Sequence, residues 1–201
     1  MKKLLQKITP ELKAFGYKKK GSDYWRIENG FYKVINFQKG LHGGNYYFIN
    51  VGIHPNGMPQ LRPNHLIVLE QPKEYECIIR KRVEQIVEIK AFQEGLVSID
   101  DDKAAENFIK MIPEIEKWSM KYGSYEGLSN LGEEEIMDLL NTSPISKKKA
   151  SAFLQLFCEI KLNNKVGAIE AFDNYKKIII SGMDDFGELD DYLIVLLEQI
   201  H

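Results

Sequence analysis

The chain has 201 residues, of which 44% are hydrophobic and 28% are charged, a composition typical of a globular protein with a buried core. No apolar run approaches the roughly 20 residues that a membrane span needs, and the opening MKKLLQKITPELK lacks the apolar stretch of a secretion signal. Cys77 and Cys158 alone make a poor disulfide framework, so we expect a cytoplasmic protein with reduced, buried thiols.

The net charge of −2 conceals an uneven distribution along the chain. Residues 1–90 contain 16 Lys and Arg against 8 Asp and Glu, whereas residues 91–201 contain 11 against 21. A basic N-terminal half could attract an anionic ligand or partner, because clustered charge concentrates the opposite sign. Alternatively, the two halves neutralise each other. Since nucleic-acid-binding domains are usually basic overall, the composition favours neutralisation.

An amphipathic helix is predicted at the start of the chain, where apolar residues recur every three or four positions: Leu5, Ile8, Leu12 and Phe15. Thr9-Pro10 is typical of an N-cap and first turn, so we expect the helix to kink or restart there. Gly16 is expected to end it.

Strands are predicted to follow. Residues 24–28 and 31–39 alternate in polarity on either side of Asn29-Gly30, which is a strong signal for a two-residue hairpin. The segment after Val83 is less regular, and a short helix over residues 84–94 fits it. Further extended segments are expected over residues 46–53, 65–69, 75–83 and 97–99.

The glycine-rich segment GLHGG, residues 40–44, raises the question of a phosphate-binding loop. Such a loop leads from a strand into a helix, whose free N–H groups bind the anion. The residues that follow, NYYFINVGI, alternate as a strand does. We therefore predict that GLHGG only reverses the chain between antiparallel strands.

The remainder of the chain is predicted to be helical. A helix begins at the aspartates of residues 100–102 and bends or splits at Pro113. Residues 150–180 form a helical hairpin that turns at Asn163-Asn164. The inward face of its second helix is expected to carry four apolar residues: Val166, Ile169, Phe172 and Ile179. Other helices are expected near residues 136–140 and 189–200.

We therefore predict an α+β fold. An N-terminal helix packs on an antiparallel sheet of four to five strands, and a helical C-terminal half follows. Residues 1–99 would form the α+β sheet domain, and residues 100–201 a helical region packed against it. The two could also form one continuous domain.

The order of several motifs resembles a bacterial family known as domain of unknown function 4304. The resemblance covers roughly residues 5–120 and departs from the family pattern after Val83, where this chain reads EQIVEIKAFQ. It implies an α+β domain of bacterial origin with no assigned reaction. The motifs that carry it are LKAFGYKKKGSDYWR, VINFQKG, the GG-containing turn, INVGI and CIIRKR.

Strand alternation predicts a polar sheet face that could bind a ligand. With Trp25, Ile27 and the apolar residues of the next strands in the core, the opposite face would collect polar side chains. Amides, an arginine and aromatic walls suit an anionic or amide-bearing ligand. The same face could instead be solvated, or covered by the acidic helices. The candidate ligand-binding residues are Tyr24, Arg26, Asn36, Gln38, Asn50 and His54.

A second candidate site is basic. Lys18, Lys19 and Lys20 lie beside aromatic residues and could bind nucleic acid, and Arg80-Lys81-Arg82 could add to them. Alternation along a strand would, however, place Arg80 and Arg82 on one face and Lys81 on the other, which divides this cluster.

No catalytic residues are predicted. The sequence contains no nucleophile, phosphate-loop or metalloprotease motif, and His54, His65 and Cys77 lack the short spacing of zinc ligands. The acidic triplets at residues 100–102 and 133–135 are explained by helix capping. We therefore expect neither a metal nor a cofactor.

The leading functional hypothesis is a non-enzymatic, protein-binding or regulatory module of the bacterial cytoplasm. The helical half or the polar sheet face would receive the protein partner, and an immunity-like role would suit the acidic half, because immunity proteins often mask basic toxins. The first alternative is an enzyme or small-ligand protein that binds an anionic, phosphate-containing molecule. Nucleic-acid binding through the basic half is the second. The sequence does not indicate an oligomeric state.

Overall fold

The computed structural model describes residues 2–40, 47–62, 65–87, 101–140, 144–182, 187–198 and 200. Two compact units make up the chain. The first is Met1–Pro55 with Gln71–Gly123, and the second is Asn56–Glu70 with Ser124–His201. Within the described ranges, none of the helices combines the length and the hydropathy that a membrane span requires.

The first unit opens with helix α1 (Lys2–Ala14). The helix runs through Pro10 without interruption, so the predicted restart does not occur. Gly16 ends it with a φ of +82°, a conformation that glycine adopts without steric cost. Three residues of the predicted stripe, Leu5, Ile8 and Leu12, are buried together with Leu4. Phe15 lies beyond the end of α1 and is 40% exposed, so its predicted place in the stripe is wrong.

The core of the first unit is an antiparallel sheet of five strands in the order β1-β2-β3-β4-β7. Its strands are β1 (Lys18–Lys20), β2 (Asp23–Glu28), β3 (Phe31–Lys39), β4 (Tyr47–Pro55) and β7 (Ile79–Arg82). Asn29 and Gly30 both have positive φ, as a type I′ hairpin requires. The predicted hairpin and the α+β fold are confirmed.

Two parts of the sheet differ from the prediction. Strand β1 was missed, because three consecutive lysines have little intrinsic preference for a strand and pair only where β2 offers an edge. The strand predicted over residues 75–83 was too long. The structure has a 3₁₀ turn at Glu74–Glu76, the shorter β7, and a second 3₁₀ turn at Val83–Gln85.

Helix α2 (Asp101–Tyr122) covers the same side of the sheet as α1. It contains Pro113 and is not split by it. Phe108 on α2 packs edge-on against Phe37 on β3, with ring centroids 4.9 Å apart. The two helices and one sheet face therefore enclose the apolar core of this unit.

The second unit contains a hairpin of β5 (Pro59–Arg62) and β6 (His65–Val68), followed by five helices in the described ranges. Strand β5 was not predicted from the sequence. Helices α5 and α6 form the predicted hairpin, and Asn163 in its turn has a φ of +56°. The helices are α3 (Tyr125–Ser129), α4 (Glu133–Leu139), α5 (Pro144–Lys161), α6 (Lys165–Gly182) and α7 (Gly187–Glu198).

Three predictions fall wholly or partly outside the described residues: most of GLHGG, most of the helix over residues 84–94, and the strand over residues 97–99. On either side of GLHGG, β3 and β4 pair antiparallel, and β4 begins at Tyr47 as a strand. A helix therefore does not follow the glycines, and the strand-to-helix connection that defines a phosphate-binding loop is missing.

Candidate functional site: the polar sheet face

The two faces of the five-stranded sheet differ in chemistry. In antiparallel sheets, residues directly opposite each other share a face. Tyr24 on β2 pairs with Ile35 on β3, which pairs with Val51 on β4, and these residues lie under α1 and α2. We call this the helix-covered face. The opposite face, which we call the polar sheet face, carries Lys18, Lys20, Asp23, Trp25, Asn36, Gln38, Phe48, Asn50, His54, Arg80 and Arg82.

Tyr24 and Arg26 do not lie on the polar sheet face, and their predicted placement is wrong. Tyr24 is fully buried in the core beside α1, where its hydroxyl lies 2.8 Å from the Thr9 hydroxyl. Conversely, Trp25 lies on the polar sheet face and is only partly buried. Ile27, on the same face, is 49% exposed.

Arg26 can occupy the helix-covered face because acidic partners surround it. Its guanidinium donates to the carboxylate of Glu116 on α2 and to Glu28 Oε2 at 3.0 Å, and it stacks on the Tyr17 ring. Tyr17 donates its hydroxyl to Glu116 Oε1 at 2.9 Å. Lys33, which is fully buried, donates to Glu28. A largely buried arginine of this kind is tolerated only when it is paired.

Three predicted ligand-binding residues do come together. Asn50 Nδ2 lies 3.3 Å from Asn36 Oδ1 and 3.4 Å from Gln38 Oε1. Asn36 in turn donates to Asp23 Oδ1 at 2.5 Å. Asn50 is buried, Asn36 is partly buried and Gln38 is exposed. The amides therefore form one cluster that reaches from the sheet to the surface.

His54 is on the same face but apart from this cluster. It lies four residues along β4 from Asn50, where it pairs with Tyr32, and it is 1% exposed. A strand rises about 3.3 Å per residue, so the imidazole and the amide cluster cannot contact one small ligand together without a large rearrangement.

The amide cluster borders a cleft of about 430 Å³ within the first unit. Strands β2, β3 and β7 supply one part of its wall, and the segment around the first 3₁₀ turn supplies the other. Its lining includes the side chains of Asp23, Asn36, Gln38, Lys73, Glu74, Tyr75 and Arg80.

Glu74 and Arg80 form an ion pair in the wall of the cleft. Glu74 is only 4% exposed, and burial raises the pKa of its carboxyl even though Arg80 opposes that shift. Arg80 is 29% exposed and can therefore be reached from solvent while it holds Glu74. The cleft thus offers a guanidinium that an anionic group could approach.

Close packing holds the 3₁₀ segment against β4. A Cβ atom at Gly52 would lie 2.7 Å from Cys77 Sγ and 3.2 Å from the Glu74 carbonyl oxygen. Glycine is therefore required for this approach. Cys77 also packs against Tyr32 and Val34, which completes a small apolar cluster beneath the segment.

Aromatic and cationic side chains lie on the polar sheet face and in the wall of the cleft. The guanidinium of Arg82, 53% exposed, lies 4.4 Å from the centroid of the Phe48 ring. The Lys18 ammonium lies 5.2 Å from the Trp25 ring. Tyr75 is 63% exposed, with the Lys73 ammonium 5.6 Å from its ring. Exposed Tyr, Trp and Arg are the side chains most often found at energetically important positions of protein interfaces.

The predicted lysine cluster is divided by the register of β1. Lys18 and Lys20 pair with Trp25 and Asp23 and lie on the polar sheet face. Lys19 pairs with Tyr24 and lies over its ring on the other face, 5.7 Å from the ring centroid.

Strand β7 supplies cations that the sequence could not assign to this site. Arg80 and Arg82 pair with Gly52 and Asn50 and so join the amide cluster, whereas Lys81 pairs with Val51 on the other face. The alternation of side chains along a strand had already predicted that Lys81 lies on the opposite face from Arg80 and Arg82. Only the pairing of β7 with β4, which are far apart in sequence, shows which face the arginines occupy.

Among the described residues, no three His, Cys, Asp or Glu side chains converge in a way that could hold a metal ion. Cys77 and Cys158 are both buried free thiols. Burial raises the pKa of each thiol well above its ordinary value, which disfavours the nucleophilic thiolate.

Comparison with known proteins identifies a family for the first unit. Neither the curated proteins nor the solved structures contain a match. The family model described as domain of unknown function (DUF4304) matches residues 8–122, which is more than half of the chain and includes the second half of α1, the five-stranded sheet and all of α2. The protein therefore belongs to the DUF4304 family, as the order of its sequence motifs predicted.

Proposed function

We propose that this protein is a non-enzymatic binding module of the bacterial cytoplasm, with a regulatory role, and that its polar sheet face receives a protein partner with an acidic surface. The observation that carries the proposal is the group of exposed aromatic and cationic side chains around the amide cluster. Tyr75 and Arg82 are each more than half exposed, and Lys18 and Lys20 extend the positive charge.

The composition of this face suits a protein surface. Partly desolvated Arg and Tyr side chains contribute most of the energy in many interfaces, and the amides of Asn36, Gln38 and Asn50 can bond with backbone or side-chain groups of either polarity. Stacking on Phe48 holds the Arg82 guanidinium in place, so less side-chain entropy is lost when a carboxylate binds it.

Affinity capture from a bacterial host tests this proposal. The full chain should retain a partner in near-stoichiometric amount. A Tyr75→Ala, Arg82→Glu double variant should lose that partner, because an aromatic contact is removed and a charge is reversed. Lys110→Glu, an exposed charge reversal on α2, is the matched control and should retain it. Failure of the wild type to retain a partner, or equal retention by the double variant, would count against the proposal.

A second candidate function is the binding of a small anionic molecule in the cleft. It is favoured by the 430 Å³ volume and by the partly exposed Arg80 in its wall, with Lys73 close by. A phosphate-containing compound such as a nucleotide should then raise the melting temperature, and Arg80→Ala should abolish the shift. Arg26→Ala is not a suitable test, because Arg26 lies beneath α2. Binding of single-stranded nucleic acid that weakens steeply with salt would instead indicate the nucleic-acid alternative.

A further inference from the structure

Helix α6 in the second unit has two apolar sides. One side packs on α5, where Ala168 and Tyr175 are buried and the Tyr175 ring lies 6.2 Å from that of Phe153. The other side carries Val166 and Ile169, which the sequence pattern placed in the interior. They are 68% and 51% exposed, so this part of the prediction is wrong.

The exposed apolar side of α6 borders a groove whose opposite wall is α7. Ile194 and Val195 on α7 are 44% and 53% exposed. The groove has a volume of about 390 Å³ and lies wholly within the second unit. Its apolar lining consists of Ile169, Phe172, Ile194, Leu197 and Ile200. Exposed apolar side chains that line a common groove can form a docking surface for a partner.

The two helices that form the groove carry six acidic residues against three basic ones. The second unit has 15 Asp and Glu against eight Lys and Arg, and all four charged residues of α7 are acidic. Lys165 and Glu198 lie on the groove wall. On α6, Asp173 pairs with Lys176 at 3.1 Å, and the Lys176 ammonium lies 4.5 Å from the Phe172 ring, so that cation is already engaged.

We propose that the groove between α6 and α7 docks an amphipathic helix of a protein partner, with Lys and Arg flanking its apolar stripe. Two helices present a furrow between their ridges, and the side chains of a third helix at spacings of three and four residues fit into it. The acidic surroundings select basic flanks by charge complementarity. This surface shares no residue with the polar sheet face, so either proposal can fail without the other.

Fluorescence anisotropy with designed peptides tests the docking proposal on the full chain. The probe is a labelled peptide of about 18 residues with Leu at helical a and d spacing and Lys at most other positions. Two comparison peptides keep its length: one scrambles the order, and the other replaces Lys with Glu. The groove variants are Ile169→Ser and Ile194→Ser, and the control is Met120→Ser, an exposed apolar residue of α2.

The basic peptide should bind saturably, and each groove variant should weaken binding at least about tenfold while Met120→Ser leaves it unchanged. Added salt should also weaken it. Circular dichroism verifies that each variant is folded, as expected for substitutions at exposed positions. Absence of saturable binding, equal binding of the scrambled or acidic peptide, or unchanged affinity in both groove variants would overturn the proposal. So would a wild-type dimer that the groove variants convert to monomer, because a second copy would then occupy the groove.

Discussion

Arg26 on β2 and Glu116 on α2 form an ion pair in which the two side chains are only 11% and 9% exposed. The pair joins residues 90 positions apart and lies between the sheet and the helix that covers it. Since neither charge has ready access to water, each depends on the other for its solvation. The helix-covered face of the sheet therefore carries a charged cluster within an otherwise apolar core.

Removal of one partner from this pair should be costly. Glu116→Ala leaves the Arg26 guanidinium without its main acceptor and the Tyr17 hydroxyl without Glu116, so the free energy of unfolding should fall by about 3 kcal/mol. Urea denaturation measures the change. The exposed pair of Lys7 and Asp102 is the control, and Lys7→Ala should cost less than about 1 kcal/mol. Equal effects of the two substitutions would contradict the account.

A double substitution tests whether the cost of each single substitution comes from leaving the other charge unpaired. Arg26→Met with Glu116→Leu removes both charges and keeps apolar volume, so its cost should be well below the sum of the two single substitutions. Additive costs in urea denaturation would show that the two side chains act independently.

Glu28 should contribute to the acid sensitivity of the fold. The hydrogen bond from Lys33 lowers the pKa of its carboxyl below the ordinary value of 4.5, against the opposing effect of burial. A lowered pKa in the folded state adds stability that is complete above 4.5 and is lost as pH falls through the folded value. In urea midpoints measured from about pH 7 down to about pH 3, the advantage of wild type over Glu28→Gln should shrink below pH 4.5. An advantage that stays constant across this window would be inconsistent with the pairing.

Gly52 should tolerate no side chain. The Cβ of Gly52→Ala would meet Cys77 Sγ at 2.7 Å and the Glu74 backbone at 3.2 Å, so the variant should lose about 1–3 kcal/mol of stability through overpacking. Gly132→Ala is the control, because its Cβ would meet nothing closer than 3.8 Å. Thermal unfolding of both variants compares them, and a Gly52 variant as stable as the control would refute the close approach.

The two thiols should be unreactive in the native protein. Cys77 is 7% exposed and Cys158 is fully buried, and burial raises the pKa of both thiols. We expect a chromogenic disulfide reagent at about pH 8 to modify neither thiol in the folded protein, and both in denaturant. Rapid modification of either one under native conditions would show an accessible thiolate.

Local patterns were sufficient for the central strands. In β3 and β4, apolar residues such as Ile35 and Val51 alternate with polar ones such as Asn36 and Asn50, and the structure places the two sets on opposite faces. The amide cluster could therefore be predicted from sequence. Its union with Arg80 and Arg82 could not, because that depends on which strand pairs with β4.

Contacts between residues far apart in sequence determine which side chains are buried at the positions that the sequence pattern predicted incorrectly. In β2, Trp25 and Ile27 are the more apolar residues, yet Tyr24 and Arg26 face the core. The Tyr24 hydroxyl is hydrogen-bonded to Thr9, and the Arg26 guanidinium donates to the Glu116 carboxylate. Alternation alone cannot reveal such partners. On α6, the helical spacing identified an apolar stripe correctly but could not show whether another element covers it.

Hydrogen–deuterium exchange of the protein with its captured partner tests the central claim most directly. If the polar sheet face receives that partner, amide exchange should slow in peptides covering residues 32–39, 47–55 and 72–82, while the exposed side of α2 is unaffected. Exchange that stays the same in those three segments, or slows only in α1 and α2, would show that the partner binds elsewhere.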